Sequence, residues 1–391
     1  MRVLFVAHGA SHVPWAVPLA WATQLAGHDV RVAARPQSLD RVKAAGLIAV
    51  PIGDRAAGDA FASWRIPDST ERPERIPEDW PMGPLPWSEE RRMSWASQLI
   101  GLADSLADDL VAFARAWRPD LVVYDIGAVV GLVAAAAVGV PAVGYSWCQP
   151  VGIYFLEEKE VPPAYIRMFE RFGVEPRIGT DTWIDTCPPA LRRPGRVPRV
   201  PMRYIPYNGP GEVPGHLLDR PDRPRVVLSG GITTSNFADR RRQLLEEVAD
   251  LDAEVVLAVA GAEEVRTPLP AHVRTTGWVP LGALMPTCDL LVHHGGAGTG
   301  MTGFAHGVPQ VTVPDTTEST QWLWGELVEQ AKAGTILAPD RQSTPGALRT
   351  AIEDVLGEPR YAEHAREVRQ EIEAMPLPSE LVGHLEARAT S

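Results

Sequence analysis

The plainest chemical feature of the sequence is a run of glycines behind paired histidines, His293-His294-Gly295-Gly296-Ala297-Gly298-Thr299-Gly300. An apolar segment that reads as a buried strand leads into it, and small residues that suit a helix follow. Glycines let the backbone approach a ligand, a helix N-terminus offers unpaired N–H groups and the positive end of a dipole, and Thr299 adds a hydroxyl donor. Such a turn suits an anion, a diphosphate above all. The plain alternative is a turn that glycines merely let pack tightly. The tandem imidazoles weigh against it, because a histidine beside an anion turn needs a reason.

Two further strand ends carry polar chemistry. Ala7-His8-Gly9-Ala10-Ser11-His12-Val13-Pro14 is a strand-to-helix turn with two histidines. Imidazole exchanges its proton near neutral pH, with an ordinary pKa of about 6.5, so His8 or His12 could take a proton from a substrate hydroxyl. Either could equally cap the following helix or sit solvated in the turn. Asp125 ends the apolar run Leu121-Val122-Val123-Tyr124. A carboxylate there either orients a neighbouring imidazole and stabilises its protonated form, or caps the helix expected from Gly127 onward. Ser229-Gly230-Gly231, with Thr233 close behind, is another small-residue loop after a strand.

Metal chemistry has little to stand on. Asp250-Leu251-Asp252 has a spacing that can hold a divalent cation through oxygen ligands, but it lies between a helix and a strand, away from the glycine-rich ends, and reads as a solvated turn. Cys148, Cys187 and Cys288 lack CxxC spacing, so neither a zinc site nor a disulfide framework is expected.

For these residues to act together, strands must deliver them to sheet edges. Residues 2–7 read as a strand, 17–26 as a helix closed by Gly27, and 30–34 as a second strand, which makes a βαβ unit. A strand at 121–124, an alanine-rich helix and a strand at 142–146 continue the pattern. A second series follows, with strands at 225–229, 254–259, 290–293 and 310–313 and a helix at 240–248. Parallel strands alternating with helices define an α/β, doubly wound sheet that binds ligands at its strand carboxyl ends. From about residue 175 the prolines crowd, at 188, 189, 194, 198, 201, 206, 210 and 214, and read as a linker. Residues 54–86 read as a long loop with partial helix. The C-terminal run 360–387 is helical in period except where Pro376 and Pro378 must break it.

Composition narrows the function. A chain of 391 residues exceeds one ordinary core, so two domains are expected. With 45% apolar and 22% charged residues it reads as globular, and no apolar run is long enough to span a membrane. No export signal is visible at MRVLFVAHGA, so a cytoplasmic location is expected. A formal charge of −12 opposes binding to nucleic acid.

The segments Gly277-Trp278-Val279-Pro280-Leu281 and Met285-Pro286-Thr287-Cys288-Asp289, with the histidine–glycine block, resemble the donor-binding signature of family-1 glycosyltransferases, particularly bacterial antibiotic glycosyltransferases. The proline-rich linker and the C-terminal helix are similar to the same family, so the resemblance spans the chain. It implies a GT-B fold, two Rossmann-like doubly wound parallel-sheet domains facing across a cleft. Residues 1–205, with a C-terminal helix at about 376–391 crossing back, would bind the acceptor; 206–222 would link; 223–375 would bind the nucleotide sugar.

The resemblance also implies roles. Ser229, Gly230 and Gly231 would face the phosphates, as would His294, Gly295, Gly296, Gly298 and Thr299. Trp278 and Val279 would hold the nucleobase, and Glu318, Thr320 and Gln321 the sugar. Many relatives carry an acid where Thr320 stands. A neutral group there suits a sugar with fewer hydroxyls, a 6-deoxy or dideoxy sugar on dTDP, with UDP as the other carrier. His12 takes the position of the family's catalytic base and Asp125 that of its partner, with inversion at the anomeric carbon. The departing diphosphate would be met by His294 and the helix N-terminus instead of a metal, with no cofactor beyond the nucleotide-sugar co-substrate. Trp15, Trp64, Trp80 and Trp147 would offer flat surfaces to a hydroxylated polyketide or similar aglycone, O- or C-linked. A homodimer is compatible with such a chain.

Rival readings remain. A nucleotide-sugar 2-epimerase shares the scaffold but does not need the aromatic loop at 54–86. A catalytically silent binding or activator homologue would not need both His12 and Asp125. A nicotinamide dehydrogenase would need a GxGxxG fingerprint where Gly9-Ala10-Ser11 stands, and an acid where Arg35 stands.

Overall fold

The computed structural model describes residues 1–54, 89–148, 161–180, 182–192, 198–230, 241–258, 269–314, 319–338 and 340–390. They form two compact units, the first from residues 1–187, 192–203 and 375–391, the second from 188–191 and 204–374.

In the first unit the strands are β1 (Arg2–Val6), β2 (Asp29–Ala34), β3 (Ala49–Pro51), β4 (Leu121–Asp125), β5 (Ala142–Ser146), β6 (Trp183–Asp185) and β7 (Arg199–Pro201). They lie in the order β3-β2-β1-β4-β5-β6-β7, all parallel. Helices α1 (Val13–Leu25), α2 (Leu39–Ala44), α3 (Glu89–Trp117), α4 (Val130–Val138) and α5 (Pro163–Glu170) connect them. A parallel sheet covered by helices on both faces needs strands that are apolar throughout, and Leu121–Asp125 is buried at every position. Helix α3 lends Ala96, Ile100, Ala103, Ala107, Leu110 and Ala114 to the core. Their spacing of three and four places them on one helical face, packed with Leu4, Val6, Val122 and Tyr124.

The second unit repeats the plan. Strands β8 (Arg225–Ser229), β9 (Glu254–Ala258), β10 (Val273–Thr275), β11 (Leu290–His293), β12 (Gln310–Thr312) and β13 (Gly334–Ile336) lie in the order β10-β9-β8-β11-β12-β13, again parallel. Its helices are α6 (Arg241–Val248), α7 (Leu281–Leu284), α8 (Ala297–Ala305), α9 (Ser319–Gln330), α10 (Ala347–Gly357) and α11 (Pro359–Ala374). Val226, Leu228, Val255 and Leu257 point into one core, and Val227, Val256 and Leu291 into another. That alternation is the period-two signature of strands buried on both faces.

The proline-rich stretch differs from the sequence expectation. The stretch read as linker from about residue 175 includes β6 and β7, which extend the first sheet, because three extended residues are enough to add a strand and too few to show a period. Residues after 204 pack into the second unit: Leu217 joins its core, and Asn208 bonds the Gly282 amide and Thr302 Oγ1. At the other end α11 stops at Ala374, and α12 (Val382–Ala389) lies in the first unit, where Glu386 pairs with His28 at 2.8 Å. Among the described residues no helix is long and apolar enough to cross a membrane.

Each sheet reverses its strand order once, between β1 and β4 and between β8 and β11. At such a reversal neighbouring loops leave in opposite directions and open a crevice at the strand carboxyl ends.

Candidate active site

At the first reversal β1 runs into the turn that carries His8 and His12, and β4 ends on Asp125. Because β1 and β4 pair in parallel, with Val6 opposite Tyr124, both turns emerge side by side. His12 Nδ1 lies 2.8 Å from Asp125 Oδ2, with the imidazole 17% and the carboxylate 5% exposed. His12 stands at the N-cap of α1 but makes no side-chain cap bond. The other carboxylate oxygen, Oδ1, accepts the Gly127 amide at 2.8 Å, while α4 begins only at Val130. Asp125 therefore fixes its own turn with one oxygen and the imidazole with the other. Burial on its own would raise the Asp125 carboxyl, but the charge and hydrogen bond of His12, the nearby His8 and the Gly127 amide together hold it below the usual carboxylate range.

His8 sits against the same turn, its ring centroid 5.1 Å from that of His12. Burial pushes it down to about 3, with the His12 and Arg35 charges adding to the effect and Asp125 and the Gly127 backbone opposing it. It stays neutral at physiological pH and bonds the backbone at Gly127. His12 has a carboxylate hydrogen-bonded to its ring. Trp147 meets the His12 ring at 4.7 Å and 74°, with Trp15 behind it at 6.5 Å. Both indoles are buried, at 7% and 5% exposure, so they wall the imidazole and do not offer open stacking faces.

At the second reversal β11 ends on His293 and its parallel neighbour β8 on Ser229, the two residues being register partners. Gly295 turns at φ +88, and a Cβ there would lie 2.4 Å from the Gln321 carbonyl oxygen. Only glycine meets both demands. Gly296 caps α8 in an extended conformation, and the first intrahelical bond runs from Gly300 N to Gly296 O. The amides of Ala297, Gly298 and Thr299 therefore have no acceptor within the helix, an arrangement able to receive an anion. A Cβ on Gly300 would strike the Trp324 indole at 2.1 Å, so glycine also lets that ring pack beneath the helix.

The tandem histidines divide the work. His293 is fully buried, bonded through Nε2 to Gln310 Oε1 at 2.9 Å and through Nδ1 to the Gly295 amide at 3.2 Å, and burial pushes it down to about 3. His294 lies over the helix N-terminus, its Nε2 2.3 Å from where a Gly296 Cβ would be. Among the described residues its buried Nδ1 has no hydrogen-bond partner, and burial, partly offset by the Ser229 backbone, pushes the ring down to about 4. A buried imidazole nitrogen left without a partner calls for an explanation, and a ligand oxygen would supply one.

Other sequence candidates fall into place unevenly. Trp278 is 53% exposed, and its Nε1 donates to the Pro210 carbonyl at 2.9 Å, which orients the ring. Val279 is a core residue beside Leu281 and Leu284, so only its main chain is left for a ligand. Gln321 is buried and its carbonyl braces Gly295. Gly298 and Thr299 are half-buried on the first turn of α8, and Gly230 is buried just after β8. Asp250 and Asp252 face solvent, each with an arginine nearby, Arg349 at 3.3 Å and Arg223 at 3.9 Å. Gly231, Thr233, Glu318, Trp64 and Trp80 lie outside the described residues, and so does the side chain of Thr320. Sequence reasoning passed over Gln310, Trp324 and Tyr204, whose hydroxyl reaches the Gly298 carbonyl at 3.2 Å and Thr302 Oγ1 at 3.0 Å. Only tertiary structure brings them to the turn.

Comparison with known proteins covers the same ground. Residues 21–231 match the N-terminal domain, and residues 242–388 the C-terminal domain, described as erythromycin biosynthesis protein CIII-like. The chain is 34% identical to aclacinomycin-T 2-deoxy-L-fucose transferase of Streptomyces galilaeus, across 99% of this chain and 96% of that protein. It is similar to the solved structure of glycosyltransferase VinC in complex with dTDP, with TM-score 0.82 and 30% identity over the whole of both chains. A spinosyn rhamnosyltransferase, SpnG, solved with spinosyn aglycone, gives TM-score 0.82 at 27% identity over 99% of this chain and 100% of that one.

Proposed function

The chain belongs to the erythromycin biosynthesis protein CIII-like family of GT-B antibiotic glycosyltransferases, and on that premise we propose that it transfers a deoxysugar from dTDP to a hydroxylated polyketide aglycone with inversion. The observation that carries the reading is the 2.8 Å contact between His12 Nδ1 and Asp125 Oδ2. It occupies one ring nitrogen and leaves Nε2 without a hydrogen-bond partner among the described residues.

In the proposed reaction Nε2 takes the acceptor's hydroxyl proton as its oxygen attacks the anomeric carbon from the face opposite the diphosphate. The bond from that carbon to the diphosphate oxygen breaks, and dTDP leaves with the electron pair. Asp125 holds the ring and stabilises the imidazolium that forms. The growing negative charge meets His294, the amides of Gly298 and Thr299 and the Thr299 hydroxyl, with the loop Ser229-Gly230-Gly231 completing the cradle. No metal or cofactor is called for. Trp278 stacks on the nucleobase beside the main chain of Val279, while Gln321, Thr320 and Glu318 reach the sugar.

Residues 1–205 and about 376–391 serve the acceptor, with Trp15 and Trp147 shaping its surroundings. Residues 223–375 serve the donor after the linker at 206–222. The dTDP carrier is supported by VinC, solved with dTDP, and the deoxysugar by the Streptomyces galilaeus relative, named for 2-deoxy-L-fucose. A cytoplasmic protein, alone or as a homodimer, fits this reading.

The test is to incubate the purified protein with dTDP- and UDP-sugars and a panel of polyketide aglycones, with and without a chelator. Mass spectrometry would follow product, and NMR the anomeric configuration and linkage. The proposal expects a product of inverted configuration from a dTDP-deoxysugar, unaffected by chelation. Release of free sugar without glycoside would favour the epimerase reading, and retention of configuration would refute the attack described.

A further inference from the structure

Gln310 opens β12 and is fully buried, and its amide is used at both ends. Oε1 accepts from His293 Nε2 at 2.9 Å and from Trp324 Nε1 at 3.1 Å, while Nε2 donates to the Gly300 carbonyl at 2.9 Å. An indole N–H only donates and a carbonyl only accepts, so these partners fix which end of the amide is oxygen. With oxygen facing His293, the proton of that neutral imidazole must sit on Nε2. Nδ1 then presents a lone pair, and this lone pair receives the Gly295 amide at 3.2 Å. The opposite tautomer would set N–H against N–H at Gly295 and lone pair against lone pair at Gln310. In a dry interior each such mismatch leaves polar groups unpaired. Gly295 is the residue at φ +88 that begins the anion turn, and Gly300 lies in the opening of α8, so the amide tethers the turn from both sides.

We infer that Gln310 is a positioning residue of the diphosphate site: by selecting the His293 tautomer and holding the Gly300 carbonyl, it keeps the glycine turn in the arrangement that receives a nucleoside diphosphate. The inference rests on the donor-site reading above. Gln310 touches neither ligand nor reacting atoms, since His293 and α8 stand between.

The test compares wild type with Gln310→Leu, with Gln310→Glu, and with Val311→Ala, a core truncation on the same strand. Histidine-15N NMR of the ligand-free proteins reads the tautomer, and titrations read affinity for dTDP and for thymidine. Wild type is expected to show His293 protonated on Nε2. Gln310→Leu should lose that signature and weaken dTDP by about tenfold or more, the consequence of unpaired buried groups at the turn, while thymidine binds as before. Gln310→Glu keeps the acceptor oxygen toward His293 but lacks the amide donor to the Gly300 carbonyl, so it should restore the tautomer while dTDP affinity falls between those of wild type and Gln310→Leu. Val311→Ala should lower Tm and leave dTDP affinity unchanged. His293 protonated on Nδ1 in wild type would overturn the inference without any ligand. So would a Gln310→Leu protein that loses Tm like Val311→Ala yet binds dTDP normally, or one that loses dTDP and thymidine alike. Failure of wild type to bind dTDP would count against the donor reading, and the tautomer would still decide the role of Gln310.

Discussion

Both sheets reverse between their first strand and a later one, and histidines stand at each reversal, but their neighbours differ in kind. In the first unit Asp125, a carboxylate, grips His12. In the second, His293 is held by the neutral amide of Gln310, and His294 by little more than backbone. A carboxylate favours an arriving proton, whereas an amide gives it no charge to pair with. Strand topology thus delivers an imidazole to the crevice in both units, and the neighbouring side chain decides what that imidazole does. One reversal suits proton transfer, and the other suits a neutral, donor-rich cradle for an anion.

The contrast can be broken at several points. His12→Ala should lower the single-turnover transfer rate by about 10² to 10⁴, the usual contribution of a general base. Asp125→Asn removes the charge but keeps the shape, and should cost about 10² to 10⁴ in the same assay, because the imidazolium loses its counter-charge and the amide can hold the ring in the wrong tautomer. A rate for Asp125→Asn within error of wild type would remove the carboxylate from the account. In the second unit Gly295→Ala puts a methyl against the Gln321 carbonyl at a positive φ. It should cost about 1 to 3 kcal/mol in urea unfolding and weaken dTDP by about tenfold.

Acid stability sharpens the comparison. His293 and His294 are pushed down by burial to about 3 and about 4 in the folded chain, against about 6.5 when unfolded. Between those values the unfolded chain binds the extra protons, so their neutrality supports the fold fully above pH 6.5, and that support is lost as pH falls toward 4. Each contributes at most about 1.4 kcal/mol per pH unit, and His294→Asn should flatten the stability curve measured by urea unfolding between pH 7 and 4.5. The smallest effect expected is from Trp278→Ala, which should weaken thymidine binding by about 0.5 to 1.5 kcal/mol, the range of one aromatic stacking contact.

The chemistry was legible in the sequence wherever a long apolar run ended in a polar or glycine-rich turn. Leu290-Leu291-Val292-His293 and Leu121-Val122-Val123-Tyr124 are such runs, and each is a central strand. Strands β3, β6, β7, β10 and β13 have three residues each, too few to show a period, and proline at the end of β7 reads as linker. Helix α3 carried a readable stripe, Ala96 to Ala114 at spacings of three and four, yet the sequence reading assigned no element between the loop at 54–86 and the strand at 121–124. The burial of Trp15 and Trp147 was not legible, since a tryptophan's type does not say whether its ring packs or waits. Gln310 was invisible for another reason: its partners His293, Gly300 and Trp324 meet only in three dimensions, and nothing in a Val-Pro-Gln sequence announces a tautomer.

The central claim is that the two reversals do separate jobs, and the most direct test is the dTDP affinity of His12→Ala, measured by calorimetry beside Gly295→Ala. The account predicts that His12→Ala binds dTDP within about twofold of wild type while Gly295→Ala loses about tenfold. An equal loss of dTDP affinity in both variants would contradict the division of labour.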